Sequence, residues 1–293
     1  CTTADGNTAV GSNSLFTNTT GDGITAIGRA ALYFNSTGSE NTAVGRAALK
    51  ANTTASNNTA VGRDALTANT TGATNVAIGK SALANNTTAA NNTAMGANAL
   101  LTNTTGSALV AIGSSALYSN TTADNNVAVG NTALYNNTTG TKNIAVGPSC
   151  LLTNTTGSFN VAIGLSALYA NTTAPNNTGI GTEALKSNTT GTQNVAVGAF
   201  SMINNTTANN NTAIGYTALY SNTTGTDNTA IGDEALQQNT TGTQNVAVGA
   251  LALDANTTAS NNIGIGYLSL TANTTGTQNV GVGVYTIADN TTG

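Results

Sequence analysis

The chain is built on a fixed period. From Asn7 it divides into 17-residue units with no insertion or deletion: sixteen complete units over 7–278, then fifteen residues of another over 279–293. Residues 1–6 match the tail of a preceding unit, with Cys1 in an asparagine slot, so 1–293 reads as a single repeat array that begins and ends in mid-unit. A short period held this strictly is the signature of stacked architectures, because one unit cannot bury its own apolar face and depends on its neighbours.

Numbering the unit from its leading residue shows which positions tolerate change. The first is Asn except for Ile24 and Leu109. The fifth is always glycine: Gly11, Gly28, Gly45, Gly62, Gly79, Gly96, Gly113, Gly130, Gly147, Gly164, Gly181, Gly198, Gly215, Gly232, Gly249, Gly266 and Gly283. The twelfth is always asparagine: Asn18, Asn35, Asn52, Asn69, Asn86, Asn103, Asn120, Asn137, Asn154, Asn171, Asn188, Asn205, Asn222, Asn239, Asn256, Asn273 and Asn290. The fourteenth is always threonine, the fourth is Val, Ile or Met, the ninth is Leu apart from Met202 and Ile287, and the third and eighth stay small.

The charges act as a probe of solvent. They make up 6% of the chain, against roughly 25% in ordinary globular proteins. All of them fall at positions 6, 7, 10, 11, 16 and 17, as with Arg29, Lys50, Asp64 and Glu40. An unpaired charge is costly to bury, so these positions are expected to face water and the charge-free ones to be packed or laddered. Low bulky-apolar content invites a disordered reading, but the net charge is only −4 and the pattern is too regular for it.

Helix does not suit this pattern. Glycine and Asn-Thr-Thr every 17 residues would interrupt one, and β-branched residues dominate positions 2–4. Two short strands per unit are predicted, one at T/V-A-V/I-G and one at A-L, each ended by a turn. The fold class is therefore an all-β, parallel β-solenoid (a β-roll) of 17-residue coils, identical positions stacking about 4.8 Å apart into a rod of roughly 80 Å. Stacking explains the fixed letters: an amide ladder down the asparagine column, and glycine at a positive-φ corner or at a close backbone approach. Small residues at positions 3 and 5 form a smooth face suited to packing on a neighbouring chain or to lining a thin core.

The segments NVAIG at 75–79 and 160–164, each followed one residue later by S-A-L, resemble the head repeats of trimeric autotransporter adhesins, and NTAIGYTALYSNTTG at 211–225 is similar to repeats of bacterial and phage tail-fibre proteins. The resemblance covers essentially the whole chain. It implies a left-handed β-roll, a homotrimer and an extracellular, cell-surface or virion-fibre location. The usual adhesin repeat is a few residues shorter, and N-T-T-G looks like an added turn.

Catalysis is disfavoured: there is no His, the usual general base, and carboxylates are scattered, so no catalytic residue and no cofactor is assigned. No metal site is assigned either, because calcium-binding rolls need a recurring Asp in a Gly-rich turn where this chain carries Asn and Thr. Seven basic against eleven acidic residues give no electrostatic footprint for nucleic acid. No apolar window approaches the length of a membrane span. Each N-T-T is formally a glycosylation sequon, although a laddered Asn would have its amide engaged. Cys150, at the small eighth position, reads as a buried hydrophobe, and Cys1 is too far along the array to bridge to it; a leading Cys is also compatible with lipidation. Tyr33, Tyr118, Tyr135, Tyr169 and Tyr220 share the tenth position with Phe16 and cover either the coil edge or a subunit or partner contact.

The expected function is a non-enzymatic structural or adhesive shaft of a surface or tail fibre, whose partner is itself as a homotrimer. Two alternatives stand beside it. One is a filament subunit stacking end to end through open solenoid edges; the other is a solenoid that binds ice or a host-surface matrix. Adjacent Thr residues at positions 13 and 14 point to opposite faces if extended, which leaves one Thr per coil per face.

Overall fold

The computed structural model describes residues 3–289 and 291–292; Cys1 and Asn290, the last expected rung of the asparagine column, lie outside the described residues. The chain is a parallel β-solenoid. Each 17-residue repeat contributes one three-residue strand at positions 2–4, from Thr8–Val10 to Val280–Val282, and no helix occurs among the described residues. These positions are the β-branched ones, which fit a pleated surface.

Contacts divide the chain into two compact units, Cys1–Ala145 and Val146–Gly293. Within the first, strands pair in parallel with the next copy in the chain, so that Ala26 faces Ala43 and Ala43 faces Ala60. Within the second, Ala213 faces Ala230 and Ala230 faces Ala247. The register offset is one repeat at each of these pairs, which brings chemically equivalent side chains into columns.

The second strand expected at A-L does not form. Positions 6–11 instead make a run of turns in which residues 7 and 9 adopt positive φ, as at Glu183 (+57°) and Leu185 (+53°). Neighbouring coils are still joined here by backbone bonds. Glu183 N donates to Leu165 O behind it, whereas Leu185 N donates to Ser201 O ahead. Left-handed backbone costs an L-residue roughly 1–2 kcal/mol. Burying a leucine returns about 1.5–3 kcal/mol, and Leu185 is fully buried. The two terms are comparable, so the ninth residue has to be large and apolar.

The core is thin and columnar. Positions 1, 3, 8, 9, 12 and 15 point inward, as seen at Asn177, Ala184, Leu185, Asn188 and Gly191. Alanine at position 3 is buried to 0% at Ala43, Ala60, Ala196 and Ala213, so the small face lines the core and is not offered to a neighbouring chain. Its size is limited by a carbonyl of its own coil and by leucine from the preceding one: a Cβ placed on Gly179 would lie 3.1 Å from Ala184 O and 3.3 Å from Leu168 Cγ.

Strand alternation turns positions 2 and 4 outward. Here the charge map needs correcting, because positions without charges are not all buried. Ile112, Ile163, Ile214 and Ile231, all at position 4, are 37–39% exposed, and the fixed Thr at position 14 is exposed in coil after coil.

Candidate functional site

Two asparagine columns hold the coils together. At position 12, Asn35 Nδ2 donates to Asn18 Oδ1 (2.9 Å) and to Gly38 O of its own turn (2.9 Å). The same pair of bonds recurs up to Asn137 in the first unit and from Asn171 to Asn273 in the second. Both amide protons are therefore spent and the side chains are buried to 0%, as at Asn205 and Asn222. A glycan on this nitrogen is incompatible with the folded coil, so the N-T-T sequons are structural turns.

The second column is at position 1. Asn211 Nδ2 donates to Gly225 O in its own coil (2.8 Å), and its Oδ1 accepts the backbone N–H of Asn228 in the next (2.9 Å). Gly225 O thus receives two asparagines, Asn211 and Asn222, and the N-T-T-G turn is clamped from both sides. This column was not singled out from the sequence, although Asn stands at position 1 in fifteen of the seventeen units. Ile24 and Leu109, the two exceptions, are fully buried in the same slot.

Glycine at position 5 is needed for two reasons at once. Its φ lies between +125° at Gly11 and +142° at Gly215, a region closed to other residues. A Cβ on Gly164 would also sit 2.6 Å from Gly181 O of the next coil. Position 15 is crowded by the same stacking, and there no two neighbouring coils both carry Ala, as along Gly38, Ala55, Gly72, Ala89 and Gly106. Threonine at position 13 donates its hydroxyl to the carbonyl of the next threonine, as Thr206 Oγ1 does to Thr223 O (3.1 Å). The hydroxyl of the fixed Thr at position 14 bonds nothing among the described residues, and nothing in the chain explains its invariance.

The outer surface carries the features open to partners. Tyr33, Tyr118, Tyr135, Tyr169 and Tyr220 are all half-buried. Where adjacent coils both bear a ring they stack, Tyr118 on Tyr135 at 4.9 Å and Phe16 on Tyr33 at 5.2 Å. Tyr169 and Tyr220 belong to coils whose neighbours carry Leu152, Lys186, Ile203 and Gln237 at this position, so the five form no continuous stripe. Cys150 is fully buried and donates to Gly147 O (3.0 Å); burial pushes its thiol up to about 12, with the backbone bond pulling slightly the other way. Ion pairs are few and exposed, Arg46–Asp64 at 3.1 Å and Lys186–Glu183 at 2.9 Å, each worth ~0–1 kcal/mol.

The fold and these columns define the class: a parallel β-solenoid repeat protein whose Gly at position 5 and Asn at positions 1 and 12 are spent on coil-to-coil contact. No protein-family model and no curated protein matches the chain. Among the described residues no helix is long and apolar enough to cross a membrane.

Proposed function

We propose that the chain is a non-enzymatic structural shaft of an extracellular fibre, working as a homotrimer. The observation that carries the reading is where the fixed residues go. Gly at position 5 and Asn at positions 1 and 12 all join one coil to the next, while the variable positions 6 and 17 lie at the surface together with the fixed Thr at position 14. A chain of this kind is fitted to bear load, since pulling a coil free breaks backbone bonds and buried amide bonds together. Within each unit the outward rank of Val, Ile and Met at position 4 carries no charge and offers a surface on which further copies would pack, because contiguous exposed apolar area marks an interaction face. Light scattering on the purified chain tests the reading. A discrete species of three times 28.8 kDa is expected. A stable monomer would remove the trimer, and rods that lengthen with concentration would favour end-to-end filaments.

One observation favours ice binding as the second reading. Positions 2 and 4 project outward side by side from each strand, so every coil but the one with Met95 presents two β-branched side chains on a charge-free face. The single-rank objection applied to positions 13 and 14 and does not reach this face. An ice-recrystallisation assay separates the readings: inhibition at micromolar protein supports a lattice-binding face, and growth like that in buffer removes it.

A further inference from the structure

Charge is rare in this chain, and its basic part is concentrated. Residues 29–80 hold five of the seven cations, Arg29, Arg46, Lys50, Arg63 and Lys80, against two acids, Glu40 and Asp64. Over 81–293 the balance reverses, with two cations against seven acids. The whole-chain charge of −4 hides a local excess of three positive charges.

The fold then aligns them. Arg29, Arg46, Arg63 and Lys80 all occupy position 6 of consecutive coils, which stack about 4.8 Å apart. Like charges facing each other across a sheet destabilise it. Asp64 relieves part of this, lying 3.1 Å from Arg46 and 3.6 Å from Arg63. Arg29, Lys50 and Lys80 have no ion-pair partner among the described residues. Alanine at position 7 in two successive coils, Ala30 and Ala47, leaves a surface hollow of about 250 Å³ beside the column, and Ser12, Asn13, Arg29, Arg46 and Lys50 line it.

We propose that this hollow and the basic column above it bind an acidic polysaccharide. Guanidinium groups one coil apart can each take a carboxylate or sulfate ester in a forked, charge-assisted contact. Ser12 and Asn13 supply the hydroxyl and amide that sugar hydroxyls pair with. A single-stranded nucleic acid would also be drawn by the charge, but it needs open aromatic faces on which to stack its bases. Among the described residues no aromatic side chain lines the hollow, and the rings of Phe16, Tyr33 and Phe34 on the same coils pack on one another, at 5.2 and 4.6 Å, although Phe16 and Phe34 stay exposed. The site is independent of the shaft reading, since it is complete within one chain.

Fluorescence anisotropy with a labelled, sulfated heparin hexasaccharide at about 50 mM salt, where screening is weak, provides the test. Saturable binding is expected, weakening steeply with added salt. The triple variant Arg29→Gln, Arg46→Gln, Lys50→Gln should bind at least tenfold more weakly, and the control pair Lys142→Gln, Lys186→Gln should bind like the parent. Circular dichroism verifies that the variants are folded, and Arg29→Gln alone, with a severalfold loss, replaces the triple should that fail to fold. Four results would overturn the proposal: no binding by the parent, an equal loss in the control pair, tighter binding of a DNA dodecamer than of the hexasaccharide, or displacement by free sulfate at matched ionic strength, which marks an adventitious ion only.

Discussion

Replacing Asn205 by alanine removes one rung of the position-12 column, and the structure gives the size of the effect. Asn205 Nδ2 donates to Asn188 Oδ1 (2.9 Å) and to Ala208 O (3.2 Å), while its Oδ1 accepts from Asn222 Nδ2 (3.0 Å). Asn222 keeps its bond to Gly225 O, and Ala208 O keeps the one from Asn194. Asn188 Oδ1 loses its donor in a fully buried site. Three bonds at about 1 kcal/mol each, plus ~1–2 kcal/mol for the stranded acceptor, come to roughly 4–5 kcal/mol. Stability is additive between neighbouring repeats in solenoids, so the loss should concentrate in the coils on either side of residue 205. Guanidinium denaturation followed by circular dichroism gives the total, and amide exchange locates it. Asn205→Asp has the same shape but turns both donated bonds into oxygen–oxygen contacts, so it should cost at least as much at neutral pH. Burial raises an acid's pKa in the folded state, hence stability of that variant should rise as pH falls. A loss below about 1 kcal/mol for Asn205→Ala would refute the column's role in holding the coils.

Gly164→Ala should destabilise by about 3 kcal/mol or more, read in the same denaturation assay, because it combines a forbidden φ of +126° with a Cβ 2.6 Å from Gly181 O; parent-like stability would show that the coil spacing gives way there. Leu185→Ala should cost ~2–5 kcal/mol, as the residue is fully buried and held in left-handed backbone. In a Cys1→Ser background, Cys150 should resist a thiol reagent at pH 8 until denaturant is added, since its folded thiol ionises only near 12. The sign of its pH linkage follows. The folded pKa is raised, so the unfolded state releases its proton first and this contribution to stability falls as pH climbs from 9.0 toward 12.

How much was legible before the structure depended on whether a position's job fixes its letter. Gly at 5 and Asn at 12 admit no substitute, so invariance marked both. The turn at 6–11 was misread as a strand because Ala-Leu spells an apolar β pair, and nothing in the letters shows that Leu185 sits at φ +53°. Asn at position 1 stands among the charge-free positions but gives a weaker signal of a ladder, because Ile24 and Leu109 fill the same buried slot and break its invariance. Absence of charge does not by itself mean a packed position, since Ile214 is uncharged and 39% exposed; an outward residue needs no charge where a strand face is apolar. The basic hollow escaped because net charge averages over the chain, and only stacking brings Arg29, Arg46 and Lys50 to one place.

The central claim is that each coil is bonded to both neighbours at fixed positions of the repeat, and residue-resolved amide exchange tests it most directly. Slow exchange is predicted at positions 5, 7 and 9, as at Gly181, Glu183 and Leu185, whose N–H groups bond Ile163, Leu165 and Ser201. Fast exchange is predicted at position 6, as at the exposed Thr182 and Asp233. Protection that repeats every 17 residues in this order supports the account; uniformly fast exchange, or protection with a helical period, would contradict it.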